Sequence, residues 1–268
     1  MICFPNAKIN LGLHITGKRS DGFHNIETIF YPVPLTDALE AVRADGSSFT
    51  QTGLKLDTEA GDNLVMKAYA LMSRKYDIPP LEIYLKKAIP PEAGLGGGSA
   101  DAAFALKLIN DLCNLGIPDH KLEKTAATLG ADCPFFIRNK PVRATGKGNI
   151  FKPAGISLKN YVIYIVKPPV AVSTKEAYSM ITPQKPAFTL DKLSSLPVPE
   201  WKNVLVNDFE HSIFEKYPVI GEIKDTLYSL GAEYASMSGS GSAVFGLFKK
   251  AVVLPDFPNC FIWKGALR

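Results

Sequence analysis

The chain has 268 residues, a formal net charge of +4, and apolar and charged shares of 46% and 21%, which are typical of a soluble globular protein. The mild positive charge suits an anionic small molecule, and no Arg-rich run with interleaved aromatics points to nucleic acid. Four widely spaced cysteines without a CxxC pair argue against a zinc or redox motif, and no apolar run reaches the roughly 20 residues of a membrane span, so we expect a cytoplasmic protein with reduced thiols.

The first half of the chain begins with a predicted strand over residues 7–15, in which apolar residues alternate with a polar face that carries Lys8 and Asn10. A turn follows over residues 18–22. Periodicity then predicts, in chain order, a helix over 62–76, a strand over Leu81–Lys87, a glycine run over 94–98, and helices over 99–115 and 119–129.

The second half shows an irregular alternation of strands, helices and loops. Its predicted elements are a strand over 161–166, a Pro-rich loop over 183–199 and a helix over 222–230. Residues 236–248 are predicted to form a second glycine turn followed by a strand. This pattern predicts the α+β class. Because turn-rich residues 145–149 precede a new strand, we predict two domains, residues 1–152 and 153–268.

The glycine run raises two interpretations. Glycines lack Cβ atoms, so successive backbone N–H groups can converge on one anion, and a helix that starts directly afterwards adds its own N–H groups and dipole. The spacing matches neither GxxxxGK[ST] nor a dinucleotide fingerprint. The alternative is a flexible loop before a helix that Ser99 caps.

The glycine run and five further motifs together indicate a protein family. Pro-x-x-x-Gly-Leu-Gly-Gly-Gly-Ser at residues 90–99 resembles the nucleotide-phosphate loop of the GHMP kinases. The other five motifs resemble those of the GHMP kinases that phosphorylate 4-diphosphocytidyl-2-C-methyl-D-erythritol. They are AKINL at 7–11, DGFH at 21–24, GADCPFF at 130–136, VSTKEAY at 172–178 and MSGSGS at 237–242. These motifs span nearly the whole chain.

The resemblance implies a two-domain fold, with an N-terminal ribosomal-protein-S5-domain-2-like α/β domain, a C-terminal ferredoxin-like α+β domain, and an active site in the cleft between them. It implies that ATP phosphorylates the 2-hydroxyl of the cytidyl-diphospho sugar alcohol in the non-mevalonate isoprenoid pathway. Mg²⁺ is expected, because the β- and γ-phosphates need charge neutralisation, but no protein ligand is assigned to it; Ser99 is the one match considered.

The resemblance assigns Asp132 as the catalytic base, and Lys8 as the cation that keeps Asp132 ionised and offsets charge on the γ-phosphate. From the residues alone, Asp132 could equally be the N-cap of a helix that contains Pro134, and Lys8 an edge lysine.

The remaining assignments concern the two ligands. The nucleotide is assigned to Pro90, Ala93, Gly94, Leu95, Gly96, Gly97, Gly98, Ser99 and Ala100, with Asn63 and Lys87 near adenosine and phosphates. The substrate is assigned to Asn10, Phe23, His24, Tyr178, Ser238 and Gly239, with cytosine stacked between Phe23 and a Tyr178 from the other domain. The alternatives are a solvated Lys87, a buried loop anchor at Phe23, a core residue at Tyr178 and a plain hairpin turn at 238–241.

Two other functions stay open at this point. Another GHMP kinase could act on mevalonate, phosphomevalonate, homoserine or a sugar, although these substrates offer no base for the aromatic residues to stack on. A small α+β domain could bind RNA, although the basic residues are dispersed. We expect small-molecule substrates only, no nucleic acid or membrane partner, and a monomer or homodimer.

Overall fold

The computed structural model of the chain describes residues 1–56 and 60–267, except for the side chain of residue 60. Strands β1–β12 and helices α1–α7 are, in chain order: β1 Ile2–Cys3, β2 Asn6–Lys18, β3 His24–Thr36, β4 Ala38–Arg43, β5 Ser48–Gly53, α1 Leu64–Ser73, β6 Leu81–Lys87, α2 Gly97–Leu112, α3 Asp119–Ala126, α4 Cys133–Arg138, β7 Val142–Thr145, β8 Ile150–Pro153, β9 Val162–Lys167, α5 Thr174–Ser179, α6 Glu210–Lys216, α7 Pro218–Ser229, β10 Tyr234–Met237, β11 Val244–Phe248 and β12 Phe261–Ala266.

The described chain separates into two compact units that alternate along the sequence. The first contains Met1–Ala7, Leu35–Pro91 and Gly96–Lys140, and the second contains Lys8–Pro34, Glu92–Leu95 and Pro141–Arg268. The division into residues 1–152 and 153–268 stays a prediction. Within the described residues, no helix is both long and apolar enough to cross a bilayer.

The first unit contains one four-stranded sheet with the strand order β1-β4-β6-β5. Strand β6 pairs antiparallel with β4 and parallel with β5. Helix α2 packs against α1, α4 and β4, and its Ala- and Leu-rich face is buried. These helices supply the apolar cover that one face of such a sheet requires.

The second unit contains two four-stranded sheets, with the orders β10-β11-β9-β12 and β2-β3-β7-β8. Strands β10 and β11 form an antiparallel hairpin, and α7 packs on both of them. Apolar residues of β2 such as Ile15 join Tyr164, Phe209 and Ile223 in one buried cluster. Burial of this cluster is the main favourable term for folding of the unit.

Most predicted elements are observed with shifted ends. Strand Leu81–Lys87 is observed as predicted, and the helices predicted over 62–76 and 119–129 are each shorter than expected. Helix α7 begins four residues before the predicted start, with Pro218 at its first position, where a missing N–H costs nothing. The loop predicted over 183–199 contains one short 3₁₀ helix, Leu190–Ser195, and a second, Val198–Asn203, begins near its end.

Candidate functional site

The glycine run ends directly at the start of α2. Gly96 takes the N-cap position with φ +71°, a left-handed conformation that favours glycine, and no described side chain caps the helix. The first-turn N–H groups of Gly97, Gly98 and Ser99 therefore lie at the positive end of the helix dipole without a capping partner. Such a terminus suits phosphate. The alternative in which Ser99 caps the helix is wrong, because Ser99 is the third helical residue.

Gly94 lies against the second glycine turn, the segment from Ser238 to Gly241 between β10 and β11. The Ser238 hydroxyl donates to the Gly94 carbonyl oxygen over 2.9 Å, and the Ala243 N–H donates to the Ala93 oxygen over 3.2 Å. A Cβ atom on Gly94 would lie 1.8 Å from the Ser238 carbonyl oxygen. The two glycine segments therefore pack together, and this contact requires glycine at residue 94.

Lys8 is a buried cation on the polar face of β2, with 3% of its surface exposed. Its ammonium Nζ donates to Asn10 Oδ1 over 2.6 Å and to the Gly94 oxygen over 2.9 Å. Asn10 Nδ2 donates to Thr28 Oγ1, which donates to the Gly12 carbonyl. Lys8 is therefore not an ordinary edge lysine: a chain of hydrogen bonds fixes its head beside the glycine segment.

Lys87 is also buried, and it is not the solvated strand-end lysine that the sequence allowed. Its side chain is 2% exposed, and its ammonium forms ion pairs with Asp37 and with Asp101, the latter over 2.7 Å. Asp37 Oδ1 also accepts from the Ala88 and Ile89 N–H groups. Because the Lys87 ammonium is paired with both carboxylates, it presents no exposed charge. Its ion pair with Asp101 links the end of β6 to the first turns of α2.

Two carboxylates share the single Lys87 ammonium, and Asp101 is the less satisfied of them. Asp101 lies in the second turn of α2, and its Oδ1 has no hydrogen-bond partner among the described residues. Burial, together with the nearby Asp37 charge and against the pull of Lys87, raises the pKa of Asp101 to about 7. The folded protein thus makes protonation of this carboxyl more favourable than it is in water.

The aromatic residues assigned to cytosine all lie in the second unit. His24 and Tyr178 stack on each other, with ring centroids 4.9 Å apart and an interplanar angle of 18°. Phe209 meets Tyr178 edge-on at 5.0 Å. Phe23 is 58% exposed, and Lys147 Nζ lies 4.5 Å above its ring. The alternative of a buried anchor at Phe23 is therefore also wrong.

Two polar residues of the first unit occupy helix starts. Asn63 is the N-cap of α1, and its Oδ1 accepts from the Val65 N–H over 2.9 Å. Asp132 holds the N-cap position of α4, but its side chain makes no capping hydrogen bond. The capping alternative therefore does not account for the carboxylate of Asp132, whereas it does account for the Asn63 oxygen.

Known proteins resemble this chain over its whole length. The model of the GHMP kinases N terminal domain matches residues 63–140, and that of the GHMP kinases C terminal domain matches residues 199–253. The 4-diphosphocytidyl-2-C-methyl-D-erythritol kinase of Parabacteroides distasonis is 61% identical over 270 residues, and that of Bacteroides fragilis is 55% identical over 274 residues; each comparison covers 100% of both chains.

The chain belongs to the 4-diphosphocytidyl-2-C-methyl-D-erythritol kinase family of GHMP kinases. A crystal structure of 4-(cytidine 5'-diphospho)-2C-methyl-D-erythritol kinase superposes with a TM-score of 0.77 at 31% identity, and covers 92% of this chain and 90% of the other. The two-domain α+β fold expected for GHMP kinases is therefore confirmed. As a member of this family, the chain is a small-molecule kinase with ATP as its phosphate donor.

Several buried polar residues that contact the predicted site residues or their neighbours could not be found from the sequence. Asp37 and Asp101 are the partners of Lys87, Asn207 holds the second glycine turn, and Glu210 holds the end of β10 that precedes it. No spacing rule links residues so distant in sequence. Asn207 and Glu210 are polar residues on either side of Phe209, close to where a helix begins. Such a pattern predicts a helix cap as readily as a long-range contact.

Proposed function

We propose that the chain transfers the γ-phosphoryl group of ATP to the 2-hydroxyl of 4-diphosphocytidyl-2-C-methyl-D-erythritol, which gives the 2-phosphate and ADP in the non-mevalonate route to isoprenoid precursors. The observation that carries the proposal is the full-length similarity, at 61% identity, to a kinase named for this substrate. The local geometry around the glycine segments supports it independently.

The start of α2 is the proposed phosphate site. The N–H groups of residues 97–99 lack a side-chain cap, and Gly98 is exposed, so the backbone there is accessible to an anion. Pro90, Ala93, Leu95 and Ala100 are buried and would take part through the main chain only. Lys87 would act indirectly, because two ion pairs occupy its ammonium, whereas Asn63 would act through atoms other than the oxygen that caps α1.

Asp132 is the proposed general base for the 2-hydroxyl proton. Phosphoryl transfer demands positioning and charge neutralisation more than covalent chemistry, and a carboxylate that does not cap its own helix is suited to accept a proton. The Lys8 ammonium would stabilise negative charge that develops on the transferred group. Its hydrogen bonds to Asn10 and Gly94 hold it in place before substrate arrives.

The cytidine end is assigned to the aromatic cluster of the second unit. His24 and Tyr178 already stack, and centroids 4.9 Å apart leave no room for a base between these two rings. A base would therefore stack on an outer ring face or on the exposed Phe23, while His24 supplies hydrogen bonds to its edge. Ser238 is fully buried against Gly94, so its contribution would be to shape the pocket together with Gly239.

Mg²⁺ remains a prediction from the reaction. Among residues 1–56 and 60–267, no group of three or more histidine, cysteine or acidic side chains is arranged to hold a metal ion. A magnesium ion that arrives with ATP would therefore be held chiefly by phosphate oxygens and water, and it would neutralise phosphate charge.

A coupled ADP-release assay tests the proposed substrate. The purified chain is given ATP with the cytidyl alcohol, and in parallel with mevalonate, phosphomevalonate, homoserine or galactose. We expect turnover with the cytidyl alcohol alone. An inert cytidyl alcohol together with turnover of one of the others would overturn the proposal.

A further inference from the structure

Asn207 has a buried side-chain amide that makes three hydrogen bonds, two from its nitrogen and one to its oxygen. It lies just before α6 and is 2% exposed. Its Nδ2 donates to the carbonyl oxygens of Met237 and Gly239, each over 2.9 Å, and its Oδ1 accepts from the Phe209 N–H. The amide therefore clamps the residues on both sides of Ser238.

The backbone around Asn207 is itself fixed to strand β2. The Leu13 N–H donates to the Val206 oxygen and the Asp208 N–H donates to the Leu13 oxygen, both over 2.9 Å, so Leu13 and Asn207 form a parallel bridge. The clamp is thus anchored on the same strand that carries Lys8.

The clamped residue, Ser238, reaches the glycine run. Its hydroxyl donates to the Gly94 carbonyl oxygen over 2.9 Å, and the Lys8 ammonium donates to the same oxygen over 2.9 Å. Both donors therefore converge on one acceptor. If Ser238 moved, the Gly94 carbonyl would lose one of the two donors that define its direction, and Lys8 would lose a fixed partner.

We propose that Asn207 is a positioning residue for phosphoryl transfer, which holds the second glycine turn so that Ser238 and Gly94 fix the Lys8 ammonium. The inference rests on the proposed function, because it concerns the catalytic cation of that reaction. Asn207 touches no substrate in this scheme. It acts through the turn.

Asn207→Asp distinguishes a positioning role from a merely structural one, because only a positioning role predicts a kcat that recovers as the pH is lowered. The introduced carboxylate keeps an acceptor for Phe209 but directs an unprotonated oxygen at the two carbonyls of Met237 and Gly239, whereas the protonated acid regains one donor. At pH 8 we expect kcat to fall about 100-fold, the scale of a 1 Å misplacement. Relative to wild type at the same pH, kcat should recover as the pH is lowered to 6.

The matched control is Asn110→Asp. Asn110 bridges backbone in the same manner, since its Nδ2 donates to the Ile117 oxygen and its Oδ1 accepts from the Ile117 N–H, but it lies at the far end of α2. Its kcat should equal that of wild type across the pH range. Because His14, Asp208 and Glu210 lie near residue 207 in wild type and variant alike, each variant is compared with wild type at the same pH.

Ser238→Ala keeps the inference testable if the Asn207 variants do not fold. It should lower kcat more than it raises KM for either substrate, and Asn207→Ala combined with Ser238→Ala should cost less than the sum of the two single changes. A folded Asn207→Asp with wild-type kcat at pH 8, a loss that does not change with pH, or additive single changes would overturn the inference. An inactive wild type would instead refute the proposed function.

Discussion

Replacement of Gly94 by alanine tests the contact between the two glycine segments. Residue 94 has φ +71°, where an L-residue other than glycine costs roughly 1–2 kcal/mol. The added Cβ would lie 1.8 Å from the Ser238 carbonyl oxygen, and real Cβ atoms essentially never approach within 3.0 Å, so the backbone must shift by at least 3.0 − 1.8 = 1.2 Å. The obstacle is main chain, which cannot rotate away.

A shift of this size is large for catalysis. Displacement of a reacting group by about 1 Å can cost about 100-fold in rate, equivalent to about 2.7 kcal/mol. We therefore expect Gly94→Ala to lower kcat/KM for the cytidyl alcohol by about 100-fold while the protein retains its native circular dichroism. A steady-state assay below the melting temperature measures this directly.

Gly116→Ala is the matched control for the strained backbone. Gly116 has φ +63° in the loop after α2, and a Cβ there meets nothing within 4 Å. It should lose stability through the positive φ but keep the wild-type kcat/KM. If folded Gly94→Ala kept wild-type kcat/KM, or if both variants lost activity equally, the argument from the contact with Ser238 would be refuted.

Three other substitutions probe the remaining groups. Asp132→Asn should reduce kcat by several orders of magnitude with ATP affinity nearly unchanged, because the base acts mainly in the transition state; near-normal turnover would remove it as the base. Phe23→Ala should raise KM for the cytidyl alcohol by about tenfold or more and leave KM for ATP unchanged, since stacking is worth roughly 1–3 kcal/mol per base; equal changes in both would make Phe23 a packing residue. For Asp101 the pKa is raised to about 7 in the folded protein, above its ordinary value of 3.8, so the contribution of this group to the free energy of unfolding should fall as pH rises from 4 to 7. Chemical denaturation should show that Asp101→Asn becomes progressively more stable relative to wild type over that range, and a constant difference would mean that Asp101 does not titrate there.

Local sequence signals predicted much of the framework around the site. The alternation that defines β2 correctly put Lys8 and Asn10 on one polar face, because a strand has a period of two residues. The glycine run and the apolar stripe of α2 predicted a helix start with accessible amides. Its start differed by two residues, since α2 begins at Gly97 and the helix was predicted from residue 99.

Long-range partners could not be predicted in the same way. The ion pairs of Lys87 join residues 14 and 50 positions away, and the Asn207 clamp reaches about 30 positions along the chain. Local periodicity carries no information about such contacts. The stacking of His24 on Tyr178 illustrates the same limit: the two motifs indicated an aromatic site, but which rings would touch depends on tertiary packing.

The central claim is that uncapped main-chain N–H groups at the start of α2 grip the triphosphate. A crystal structure with a non-hydrolysable ATP analogue and the cytidyl alcohol tests it most directly. We predict phosphate oxygens within about 2.7–3.2 Å of the amide nitrogens of Gly97, Gly98 and Ser99. A triphosphate bound elsewhere, with these three amides facing solvent, would contradict the account.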